Sequence, residues 1–85
     1  MALDELEGTR ARVSQAVARA LRVPPTTTGP ILRMGSTPGW DSLGHMTVVL
    51  EIEREFGIRV PTARIADLTD VEAIVRAVSS DSIAR

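Results

Sequence analysis

The chain contains no cysteine. Disulfides and thiolate metal sites are therefore excluded, and any thiol chemistry must come from an added group. Lysine is absent as well. All ten basic residues are arginine, so no lysine Schiff base can form. Codon bias in a GC-rich genome is the plain explanation of that choice. Trp40 and Phe56 are the only aromatics, the one departure from an ordinary globular composition. No stretch approaches the ~20 apolar residues of a membrane span. The opening MALDELEGTRAR has neither the basic region nor the apolar run of a signal peptide, so a cytoplasmic location is the expectation. A formal net charge of −1 provides no global field toward nucleic acid or acidic membranes. One histidine without cysteine leaves no zinc set, and no glycine-rich phosphate loop is present. At 85 residues the chain reads as a single domain over 1–85, with no room for a second core or a large substrate cleft.

The chain does carry clear helical periodicity. Val13, Val17 and Leu21 recur every four residues with Ala16 and Ala20 beside them, one face of a helix. Its start is open between Leu3 and Thr9, after Gly8, and Pro24-Pro25 is the expected stop. Arg10, Arg12, Arg19 and Arg22 form its polar side. Residues 24–41 make a long connection, and Ile31, Leu32 and Met34 are expected to pin it to the core. A second helix is predicted at about 42–56, capped by Gly57. Ile58 and Val60 alternate with Arg59, which could suggest a strand, over a run too short to carry that assignment. Pro61-Thr62 is expected to open a short third helix over about 62–67. Thr69-Asp70-Val71-Glu72 reads as a capping box for a last helix with the stripe Val71, Ile74, Val75 and Val78. The SSDSIAR tail is expected to fray. The reading is all-α: a small four-helix bundle of three main helices and a short third one, with a core at about 9–80 and a long loop between helices 1 and 2.

Asp41-Ser42-Leu43 stands where the turn chemistry of Gly35-Ser36-Thr37-Pro38-Gly39 gives way to the second helix. That places a serine hydroxyl at a helix N-terminus beside a carboxylate. Unpaired N–H groups there favour anions, phosphate included. Asp41 is a fitting N-cap. At these residues a family resemblance becomes plain. Gly39-Trp40-Asp41-Ser42-Leu43-Gly44-His45-Met46, then Glu53-Arg54-Glu55-Phe56-Gly57-Ile58 and Val60-Pro61, is similar to the acyl carrier protein family over roughly residues 9–80. The resemblance implies a stand-alone carrier that is not itself catalytic. Ser42 would receive 4′-phosphopantetheine from coenzyme A through a phosphopantetheinyl transferase. Acyl groups would then ride on the arm as thioesters to acyl-loading, ketosynthase or acyltransferase-type enzymes. A monomer serving a dedicated, polyketide-like or other specialised pathway is the expectation. A stand-alone aminoacyl or peptidyl carrier, loaded by an adenylating enzyme, is the alternative.

On a helical wheel with Leu43 at zero, Val48, Val49, Ile52 and Phe56 fall at about 140–240° and should face the core. Leu43, Thr47, Leu50 and Arg54 cluster within about 40° of zero on the opposite side, with Met46 near 300°. A single core cannot bury both stripes, so Leu43 and Leu50 read as a docking pair. Scattered surface leucines are the plain alternative. Asp41, Leu43, Met46, Thr47, Leu50, Glu51, Glu53 and Arg54 form the partner-facing set. Glu51, Glu53 and Glu55 make the helix acidic, as in the family, whereas Thr47 and Arg54 depart from its pattern. His45 follows Ser42 by three residues, but its wheel position of about 200° turns it to the core near the third helix, which argues against a Ser–His pair. Trp40 is expected to anchor the loop on the bundle. If the helices parted to sheath a growing chain, Val48, Val49, Ile52, Phe56, Ile65, Leu68, Ile74 and Val75 would line the interior.

Two other functions compete for the same residues. Trp40-Asp41-Ser42-Leu43-Gly44 superficially matches hydrolase elbows, but a loop and not a strand precedes the serine, and the chain is too short for the sheet such enzymes need. A helical adaptor docking through Leu43 and Leu50 without any arm is the remaining reading.

Overall fold

The computed structural model describes residues 3–24 and 32–79. Among these residues it forms α1 (Leu3–Leu21), α2 (Ser42–Phe56), α3 (Thr62–Ile65) and α4 (Val71–Ser79), with no strand. The all-α four-helix architecture is the one the periodicity implies. α1 packs along both α2 and α4. Val13, Ala16 and Val17 from α1 meet Val48 and Ile52 from α2 and Val71, Ile74 and Val75 from α4, all buried. Full burial of one such aliphatic side chain stabilises the fold by about 1.5–3 kcal/mol, so these stripes hold the bundle.

α1 starts at Leu3, the earlier of the two candidate positions. Asp4 and Glu5 lie in its first turn, where the helix dipole favours acids. Leu6, seven residues before Val13, packs against the core and carries the helix through Gly8. The stop differs from the expected one. The helix ends before Pro24, because Arg22 adopts a left-handed φ of 57°. Val23 N–H then bonds Ala18 O at 3.1 Å and Arg22 N–H bonds Arg19 O at 3.3 Å. This is a Schellman closure built on arginine where glycine is usual.

α2 ends at Gly57, whose φ of 63° is the left-handed cap expected of it. Beyond it Ile58 and Val60 are buried and Arg59 is exposed, an alternation without a strand. α3 stops at Ile65, two residues short of the expected end, and the chain continues in turns through Asp67 and Leu68. The cap of α4 is corrected. Asp70 Oδ1 accepts the Ala73 N–H at 2.7 Å, so Asp70 and not Thr69 is the N-cap. Glu72 does not reach back to close a box. It forms a two-pronged pair with Arg10 of α1, at 2.6 and 2.9 Å. A bidentate guanidinium is the stronger partner for a carboxylate than one backbone N–H.

The connection before α2 is ordered by pairing that crosses the chain. Met34 N–H bonds Thr69 O at 2.7 Å and Val71 N–H bonds Leu32 O at 3.2 Å, flanking an antiparallel bridge between Arg33 and Asp70. Leu32 is buried and Met34 packs on the core, as expected. Ile31 and the end of the tail lie outside the described residues. Residues 33–40 then fold through successive turns, with Arg33 N–H on Thr37 Oγ1 at 2.9 Å and Gly35 N–H on Trp40 O at 2.9 Å.

Candidate functional site

The site is built where this loop meets α2. Gly39 holds a φ of 85°, and a Cβ there would touch the Leu21 carbonyl at 3.7 Å, so the loop lies against the end of α1. Asp41 is extended (φ −106°) and caps α2: its Oδ1 accepts Gly44 N–H and its carbonyl accepts His45 N–H, each at 2.8 Å. Ser42 is the first helical residue, and its side chain is exposed. The N–H groups of Ser42 and Leu43 precede any intrahelical acceptor, at the same end of α2 as the serine. Gly44 permits this arrangement. A Cβ at that position would lie 1.9 Å from the Gly39 carbonyl oxygen, so the loop backbone rests on the helix at the one residue without a side chain. In the sequence, Gly44 stands out only as part of the Asp41-Ser42-Leu43 motif region. A glycine in the first turn of an otherwise strong helix is the signal that could have singled it out.

Trp40 is buried and anchors the loop, as expected. Its indole Nε1–H donates to His45 Nδ1 at 2.9 Å. Because the indole nitrogen can only donate, Nδ1 is the acceptor, and Nε2–H donates to the Ile65 carbonyl at 2.8 Å. One buried imidazole thus ties the loop, α2 and α3 together. Both of its nitrogens are committed to the fold, which removes the Ser–His reading.

A cavity of about 490 Å³ opens beside Ser42. Met34, Met46, Ile65 and Ala66 supply its apolar wall, and Ser42, His45, Thr62 and Thr69 the remainder. It is displaced from the interior envisaged from the sequence and shares only Ile65 with that set. Val48, Ile52, Leu68, Ile74 and Val75 are packed together in the core instead.

The outer face of α2 carries Leu43, Met46 and Leu50, which are 81, 46 and 58 % exposed. Thr47 is exposed beside them, and the Arg54 side chain is 80 % exposed. Val48, Val49 and Ile52 are buried on the other side, as the wheel requires, and Phe56 is half-buried under the Arg12 guanidinium, 4.3 Å from its ring centre. The glutamates are bound within the chain. Glu51 meets Arg19 and Arg54, Glu55 meets Arg12 and Arg19, and Glu53 Oε2 accepts Val60 N–H at 2.8 Å. The hydrogen bonds from Arg12 and then Arg19 hold the Glu55 carboxyl below the usual carboxylate range.

A family model described as the phosphopantetheine attachment site matches residues 11–78, well over half of the chain. No curated protein and no solved structure matches it. The match takes in the second half of α1, all of α2 and α3, nearly all of α4 and the Asp41-Ser42-Leu43 junction, and the chain belongs to this phosphopantetheine-attachment family, as a carrier domain whose prosthetic group is covalently bound 4′-phosphopantetheine.

Proposed function

We propose that Ser42 carries the 4′-phosphopantetheine and that the protein delivers acyl groups to the enzymes of a dedicated biosynthetic pathway. The observation that carries this reading is the exposed Ser42 hydroxyl at the α2 N-terminus, opening on the apolar-walled cavity. The residues suit the group. A phosphodiester at Ser42 would sit beside the first N–H groups of α2, where the helix dipole favours an anion. In loading, Ser42 Oγ forms a bond to the β-phosphorus of coenzyme A. The bond from that phosphorus to the adenosine 3′,5′-bisphosphate half breaks, and the hydroxyl proton passes to a base of the phosphopantetheinyl transferase. The bound arm supplies a terminal thiol for thioester formation, which this cysteine-free chain lacks.

The chain's own residues position and present. Asp41 fixes the first turn of α2, and Trp40 and His45 hold the loop and α3 around it. Leu43, Met46 and Leu50, with Asp41 and Thr47 beside them, form the docking face, and Glu51, Glu53 and Arg54 border it. Tethering then raises the local concentration of the cargo at each successive partner. The Met34, Met46, Ile65 and Ala66 wall favours an acyl cargo over an amino acid, whose ammonium group would find no carboxylate lining that cavity.

The test is to incubate the protein with coenzyme A, magnesium and a broad-specificity phosphopantetheinyl transferase, then to measure intact mass and map the modified peptide. The expected outcome is a gain of one phosphopantetheine on Ser42, lost in a normally folded Ser42→Ala protein. Modification of Ser42→Ala would sink the assignment.

A further inference from the structure

The charge on α2 is arranged differently from its composition. By sequence the helix is acidic, with Glu51, Glu53 and Glu55. In the fold, Glu55 lies 2.9 Å from both Arg12 and Arg19, and Glu51 lies 3.5 Å from Arg19 and 3.3 Å from Arg54. Glu53 is turned to the Val60 N–H. Glu51 and Glu55 are thus outnumbered by Arg12, Arg19 and Arg54, and with Glu53 included the three glutamates and three arginines balance, so the surface of α2 is neutral and not acidic. Arg54 is the outermost of the three arginines. A single i,i+3 surface pair holds it, an interaction of little strength.

Arg54 also shares the exposed stripe. Leu43, Thr47, Leu50 and Arg54 follow one another at i, i+4, i+7 and i+11, spanning about 16 Å along the helix. With Asp41 at the N-terminus, the face runs from acid through two leucines to a cation.

We infer that the enzyme docking on this face presents an apolar socket for Leu43 and Leu50 with a carboxylate opposite Arg54, in place of a continuous basic patch. The inference rests on the reading of Leu43 and Leu50 as the docking pair. A lysine- or arginine-rich surface approaching the C-terminal half of α2 meets Arg54 first, and like charges across an interface are unfavourable and slow encounter. To reach Glu51 or Glu55 it must displace Arg12 and Arg19. A partner carboxylate, in contrast, can take both prongs of the Arg54 guanidinium and leave Glu51 to Arg19. The N-terminal end has the opposite demand, because Asp41 and a phosphodiester on Ser42 suit a basic group. The partner's charge therefore changes sign along the helix.

The experiment uses the full-length protein with a benzophenone amino acid at Thr47, between the two leucines. It is loaded with its arm and irradiated in extract of its source cells, and the captured peptides are sequenced. The same probe is combined with Leu50→Glu and with Arg54→Glu, each checked for helicity by circular dichroism. Arg54→Glu is expected to lower capture about tenfold, with an Asp or Glu beside the cross-linked partner residue. Changing that acid to arginine in the partner should restore capture by Arg54→Glu. Capture that is unchanged or increased by Arg54→Glu overturns the inference. If Leu50→Glu leaves capture intact, or nothing is captured, the docking face itself is refuted. If Leu50→Glu abolishes capture and Arg54→Glu does not, only the charge assignment fails.

Discussion

Replacing Gly44 with alanine sets helix propensity against packing, and the structure decides the sign. Alanine is favoured over glycine by about 1 kcal/mol in a helix interior, less near an end. At Gly44, however, the new Cβ would lie 1.9 Å from the Gly39 carbonyl oxygen, where ordinary contact begins at 3.4 Å. The obstacle is backbone, so the loop must lift from α2 by about 1.5 Å to reach the spacing of normal carbon–oxygen contact. That shift pulls on the Asp41 cap, whose bonds to Gly44 and His45 are both 2.8 Å. Loss of an N-cap costs about 1 kcal/mol. Overpacking adds about 1–3 kcal/mol. Set against the propensity gain, the net expectation is destabilisation by about 2 kcal/mol, or roughly 8–16 °C in Tm for a domain of this size. Gly8→Ala is the internal control. Gly8 lies inside α1 with nothing within 4 Å of a new Cβ, so the same change should stabilise by about 0.5–1 kcal/mol. The assay is urea unfolding followed by far-ultraviolet circular dichroism and by Trp40 fluorescence. A Gly44→Ala protein as stable as the parent would refute the contact between loop and helix.

Trp40→Phe removes the indole donor and leaves the buried His45 Nδ1 without a partner, which should cost about 1–3 kcal/mol in the same unfolding assay. No loss would mean that the pair does not hold the loop. Asp70→Ala should destabilise by about 1 kcal/mol while Thr69→Ala changes little, since Asp70 caps α4 and the Thr69 contact to Met34 runs through its backbone carbonyl. The reverse order would restore Thr69 as the cap. The pH dependence follows from Glu72, which Arg10, chiefly by hydrogen bonding, holds below the ordinary value of 4.5. The unfolded chain binds the proton first as pH falls, so the stabilisation is complete above about pH 4.5 and is lost below it, as pH passes through the folded value. The stability difference between the parent and Glu72→Gln should therefore be constant from about pH 7 to 5 and narrow progressively below about pH 4.5. A difference that does not narrow at all below that pH would assign the effect to packing.

Much of this protein is written in local patterns. The apolar period of residues 43–56 defines α2, its buried side and its exposed leucines, because a helix presents every third or fourth residue to one face. Asp41 before the helix and Gly57 after it mark its ends for equally local reasons: a short side chain that reaches back to the first turn, and a residue free to adopt a left-handed φ. His45 points to the core by the same geometry. The Asp41-Ser42-Leu43 junction, with its serine at a helix start, is legible for the same reason, and so is the family to which the chain belongs.

Packing between elements sets whatever depends on residues far apart in sequence. Arg10 lies 62 positions from Glu72, and only the packing of α1 on α4 makes that carboxylate an ion-pair partner and leaves Asp70 to cap the helix. Arg12 and Arg19 neutralise Glu51 and Glu55 across the α1–α2 seam, which turns an acidic sequence into a face with a cation at one end. The cavity lies beside Ser42, because His45 fixes Ile65 there while the other aliphatic residues close the core. Periodicity reports which way a side chain faces along its own helix. What that side chain meets is set by the neighbouring elements, and no local pattern in this chain records them.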